Sequence, residues 1–125
     1  MLAIDNDQTL IDELWDVAPS KVELPSSMKT GFFAAHGPAP LHFENKRTYH
    51  RYYMRTKAVL KRGKSVFGTY TKDVSRQGVA FLSPVALLPK ERVQLRVPAA
   101  ELTLEVTRCR RIEPACYECG GRFAL

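Results

Sequence analysis

Ser65-Val-Phe-Gly-Thr-Tyr-Thr-Lys-Asp-Val-Ser-Arg-Gln-Gly-Val-Ala-Phe-Leu-Ser83 reads as two strands joined by a turn. Ser65 to Lys72 is rich in β-branched and aromatic residues, and Gly78 to Ser83 is a short apolar run closed by Pro84. The phrase between them, Asp73-Val-Ser75-Arg-Gln-Gly78, holds a carboxylate, a hydroxyl and a glycine, residues that favour turns.

The pattern extends in both directions. Upstream, Met54 to Lys61 alternates and ends at the turn signal Arg62-Gly63-Lys64. Downstream, Arg92 to Val97 sets Val93, Leu95 and Val97 against Arg92, Gln94 and Arg96, then stops at Pro98. Leu102 to Arg111 sets Leu102, Leu104 and Val106 against Thr103, Glu105 and Thr107, and Tyr117 to Leu125 is the last run. Six short strands with regularly spaced turns predict an all-β domain, a small antiparallel barrel or sandwich. Residues 1–44 differ. Thr9 with Asp12 resembles a capping box, and Leu10, Ile11, Leu14 and Trp15 form one stripe, which predicts a short helix over about 9–17. From Ala18 to about His42, four prolines and two glycines (Pro19 to Pro40) predict a linker with little regular structure.

Charge follows the same division. Residues 1–44 carry two basic side chains against seven acidic ones, a net of −5; residues 45–125 carry 17 against six, a net of +11. Such a split implies an acidic segment that folds over the basic part, or a basic site for an anionic partner. No run approaches the ~20 apolar residues of a membrane span. The acidic N-terminus lacks the basic-then-apolar order of an export signal, so a cytoplasmic protein is expected. Three cysteines, Cys109, Cys116 and Cys119, cannot all pair within the chain, which fits reduced thiols. Cys116-Tyr-Glu-Cys119 has zinc-like spacing but no second pair, and positions 116 and 119 point to opposite faces of a regular strand, so no metal is expected. No paired-carboxylate, phosphate-loop or dinucleotide phrase appears, and Ser75 has no sequence-local base; catalysis and a cofactor are not expected.

Two phrases carry binding chemistry. Arg47-Thr-Tyr-His-Arg51 sets two guanidinium forks about 13 Å apart on one side of an extended segment. Each can take two phosphate oxygens or the O6/N7 edge of guanine. Such spacing is common in a chain with 11 arginines, and it recurs at Arg51/Arg55 and Arg92/Arg96. Asp73-x-Ser75-x-x-Gly78 adds an acceptor-only carboxylate suited to guanine N1–H and N2–H donors, a hydroxyl for phosphate or turn, and a glycine that admits close approach. Arg108-Cys-Arg110-Arg111 could extend an anion site, but reads better as charge guarding a strand edge.

The order of these phrases, with strands between them and Val79-Ala-Phe81 following, resembles the PilZ domain over roughly residues 45–125. The closing Gly120-Gly-Arg-Phe123 is similar to the end of that family's last strand. The resemblance implies a small six-stranded antiparallel β-barrel behind an N-terminal extension, residues 1–44. It implies a cytoplasmic bacterial signalling module that binds the second messenger cyclic di-GMP and acts through a protein effector. Arg47 and Arg51 would wrap the ligand, with Lys46 possible beside them, and Asp73, Ser75 and Gly78 would form the floor. The register Arg51/Arg55 fits less well, because Arg55 falls inside the first strand's alternation. The rival reading is a basic barrel that stacks single-stranded nucleic acid on Tyr49, Tyr52 and Tyr53. A third is a PilZ-like adaptor that binds no nucleotide.

Overall fold

The computed structural model describes residues 3–39 and 50–124. Helix α1 (Ala3–Val17) leads into β1 (Ser20–Lys21) and two short 3-10 turns, Ser26–Met28 and Phe32–Ala34. After β2 (Tyr52–Tyr53) come six longer strands: β3 (Lys57–Arg62), β4 (Ser65–Val74), β5 (Gly78–Ser83), β6 (Arg92–Val97), β7 (Ala100–Glu113) and β8 (Cys116–Phe123). These six pair in the order β4-β3-β6-β7-β8-β5, and β5 returns to β4, so the sheet closes. Every pairing around the ring is antiparallel. The all-β expectation is therefore met as a barrel. Closure removes the exposed edges that an open sheet of this size would present.

The interior follows from alternation. Leu60, Phe81, Val93, Leu95, Leu104 and Val106 meet inside the ring, each less than a twentieth exposed. β5 is buried on both sides, since Phe81 fills the barrel while Leu82 joins an outer cluster with Val22, Phe32 and Cys116. Cys116 and Cys119 thus lie in different layers, as a period of two requires.

The N-terminal segment departs from expectation in two ways. α1 begins at Ala3, so Thr9 lies within the helix and does not cap it. The stripe itself is correctly placed: Ile11 and Trp15 are buried, and α1 packs on β3 and β4. Trp15 donates its indole N–H to the Thr69 carbonyl at 2.8 Å and stacks on Tyr70, with ring centroids 5.3 Å apart. Gly68 makes room for it, because a Cβ there would stand 2.9 Å from Trp15 Cε2. Residues 18–39 are more ordered against the barrel than a linker. Ala18, Val22 and Phe32 are buried, and β1 pairs in parallel with β4, Ser20 opposite Phe67. Proline and glycine interrupt hydrogen-bonded elements, but they do not stop the side chains between them from covering apolar surface.

The end of this segment is stitched to β2. Ala39 N–H donates to the Arg51 carbonyl at 2.8 Å, and Tyr53 N–H to that of Gly37 at 2.9 Å. β2 in turn pairs with the end of β4, Tyr53 opposite Asp73.

Candidate functional site

The site starts from an irregularity in β4. Its pairing with β5 skips a residue between Thr71 and Asp73, so Lys72 is the extra residue of a bulge. Bulges bend a strand and re-aim the side chains beyond them. Asp73 is thereby turned toward β2, where its Oδ1 accepts from Arg51 Nη1 at 2.9 Å. Both side chains are largely covered, at 23% and 12% exposed. Lys72 points to β8, where Glu118 takes it on one carboxylate oxygen and Arg110 on the other, the latter at 2.6 Å. Burial pushes the Glu118 carboxyl up, but the Lys72 and Arg110 hydrogen bonds and charges outweigh it and hold the group at about 2.

Past Asp73 the chain turns. Ser75 N–H donates to the Gly78 carbonyl at 2.9 Å, and Ser75 Oγ accepts the amides of Gln77 and Gly78 at 3.2 and 3.4 Å. The Ser75 hydroxyl therefore shapes the turn and keeps its own proton to donate outward. Gly78 is required by the strand across from it: a Cβ at this position would lie 2.0 Å from the Gly121 carbonyl oxygen. The glycine is thus a packing necessity at the β5–β8 seam, in addition to any ligand it admits.

Beside this turn lies an open cleft of about 450 Å³. Arg51, Ser75 and Gly78 line it together with Thr107 and Arg108 of β7 and Gly120 of β8. Arg76 and Arg122 complete a wall that holds four guanidinium groups and no carboxylate. Asp73 stands behind Arg51 as its ion-pair partner. Arg47 and Lys46 lie outside the described residues. Arg55 is committed elsewhere, sandwiched over the rings of Phe32 and Tyr53 at 4.3 and 4.7 Å and donating to the Lys72 and Phe32 carbonyls. The Arg51/Arg55 register would thus draw on one residue in the cleft and one that clamps the N-terminal segment.

Arg108 lines the cleft as well, although the sequence favours an edge role over an anion site for Arg108, Arg110 and Arg111. Arg110 and Arg111 do lie where β7 runs past β6 and pairs only with β8. Arg108 lies on the same stretch but also faces the cleft. The β7–β8 register slips between Val106 and Arg108, leaving Thr107 as an extra residue. Strict alternation from Leu104 and Val106 would send Arg108 into the barrel and Cys109 outward. The bulge reverses this, so Cys109 packs against the core and Arg108 faces the cleft. The signal was present as a switch in the parity of apolar positions, from 104 and 106 to 109.

The thiols sit just behind. Cys109 is directly opposite Cys119, with sulfurs 3.4 Å apart. Burial, more than the neighbouring Cys109, raises the Cys119 thiol well above its ordinary value. Cys116 is pushed up to about 11 by burial and then by the charges of Glu113 and Glu118.

The structure is thus a closed antiparallel barrel with an arginine-lined cleft beside its β4–β5 turn. The family model of the PilZ domain matches residues 45–124, and the chain belongs to that family. PilZ domains are binding and adaptor domains, and they generally bind cyclic di-GMP. No curated protein shows a significant match to the chain. Among the described residues, no helix is long and apolar enough to cross a membrane.

Proposed function

We propose that this chain is a receptor for cyclic di-GMP whose output is a contact with a protein effector, and that it performs no chemistry on the ligand. The observation that carries this reading is the convergence of Arg51, Ser75 and Gly78 on one cleft whose wall is four guanidinium groups without a carboxylate. That composition suits a ligand with two phosphodiesters. Arg51 offers its remaining N–H groups to phosphate or to the Hoogsteen edge of guanine, with Arg47 and Lys46 joining from the preceding segment. Asp73 spends Oδ1 on Arg51 and has Oδ2 left to accept from guanine N1–H or N2–H. The Ser75 hydroxyl donates to phosphate, and Gly78 keeps the floor low enough for approach.

Binding reaches the effector only if the ligand favours one arrangement of the protein over another. The test is calorimetric titration of cyclic di-GMP into wild type and Arg51→Ala at two salt concentrations. Saturable binding is expected, weakened by Arg51→Ala about 100-fold or beyond detection, since a bidentate charge-assisted contact is lost. No heat with wild type would refute the receptor reading. A length series of single-stranded oligonucleotides then decides between a nucleic-acid barrel, whose affinity rises with length and falls steeply with salt, and an adaptor that binds neither.

A further inference from the structure

We infer that Arg108 is an additional phosphate-anchoring residue of the cleft, held in place by a bulge and a glycine opposite it; this rests on the receptor reading above. Three observations place it. First, the Thr107 bulge turns Arg108 out of the barrel and onto the cleft. The bulge is a built feature, because Thr107 Oγ1 donates to the Gly120 carbonyl at 3.1 Å and so fastens the point where the ladder slips. Second, Arg108 lies across Gly120, its register partner. A Cβ at position 120 would stand 2.6 Å from Arg108 Nε and 3.2 Å from Cγ and Cζ. The guanidinium therefore rests on bare backbone, in a place no other residue type would leave open.

Third, the neighbouring guanidinium groups have partners and this one does not. Arg51 is paired with Asp73, Arg122 with Glu105 at 2.7 Å, and Arg110 with Glu118. Among the described residues, Arg108 has no hydrogen-bonding or ionic partner. A cation brought to the wall of a cleft without a counter-charge is an anion subsite. Its place on β7, in the cleft that Arg51 and Ser75 also line, suits the phosphodiester of a cyclic dinucleotide that Arg51 does not hold.

The test uses cyclic di-GMP titrated into the full chain carrying Arg108→Ala, Arg108→Lys, Gly120→Ala, or Arg108→Ala with Gly120→Ala. Arg108→Ala is expected to weaken binding about 10- to 100-fold, the range for a hydrogen bond to a charged group, with unchanged stoichiometry and thermal midpoint. Arg108→Lys keeps the charge without the fork, and is expected to recover part of the loss. Gly120→Ala displaces a flexible side chain and leaves the backbone alone, so it should reproduce the Arg108→Ala loss. The double variant should then be no weaker than either single one. Wild-type binding with Arg108→Ala within twofold of it would overturn this inference and leave the receptor reading standing. Absence of wild-type binding would overturn the receptor reading itself.

Discussion

Glu118→Gln offers a quantitative check on the electrostatics of the barrel wall. The carboxylate is 11% exposed and holds Lys72 and Arg110 on its two oxygens. Its ordinary value of 4.5 falls to about 2 in the fold, because those two cations outweigh the opposing effect of burial. At about 1.4 kcal/mol per pH unit, that gap sets an upper value of about 3 kcal/mol. Arg110 is 74% exposed, and water screens its share, so about 2 kcal/mol is the expected contribution at pH 7. The sign follows from the lowered value. The stabilisation is complete above about 4.5 and disappears as pH falls toward 2. Glutamine keeps the shape and loses the charge, leaving Lys72 and Arg110 facing each other. Urea denaturation of wild type and Glu118→Gln across pH 2 to 7 should show the variant about 2 kcal/mol less stable at pH 7, with the two curves converging near pH 2. A difference that stays constant across that range, or none at pH 7, would refute the assignment.

Two further predictions come from packing and from the thiols. Gly78→Ala should cost at least 1–3 kcal/mol in a thermal or urea melt, because the new methyl meets the fixed Gly121 carbonyl and not a side chain that can move. An unchanged midpoint would show that the β5–β8 seam is looser than its 2.0 Å approach implies. At pH 8 a disulfide reagent should modify Cys109 first, with Cys116 and Cys119 reacting only on unfolding, since both are fully buried and both thiols are raised. Three equally fast phases would contradict this.

Much of the barrel was legible because its strands obey a period of two and end at proline or glycine. Val93, Leu95 and Val97, and Leu102 with Leu104, were readable as inward faces from alternation alone. Two kinds of feature were not. The cover formed by residues 18–39 contains no periodic run, and single buried side chains such as Val22 and Phe32 leave no pattern to read. The bulges at Lys72 and Thr107 change which face a residue occupies without changing its chemistry, and they decide where Asp73 and Arg108 point. Arg51, Ser75 and Gly78 could be named because they sit in phrases with local spacing. Arg108 leaves only the switch in apolar parity from 104 and 106 to 109, and its seat against Gly120 is a cross-strand pairing, distant in sequence, that local spacing cannot register.

The stitching of residues 37–39 onto β2 bears on how a bound ligand could be sensed. The same short ladder carries Arg51 on one side and the end of the N-terminal cover on the other, and β2 also abuts Asp73. Coupling between two sites is reciprocal: whatever one occupant does to the free energy of the other is returned in equal measure. An effector that prefers the N-terminal cover fastened would thus tighten the cleft's hold on its anion. One that must lift the cover to dock would loosen that hold, and the ligand would weaken its docking by the same factor. The direction of the response is then set by which face of a two-residue strand the effector needs.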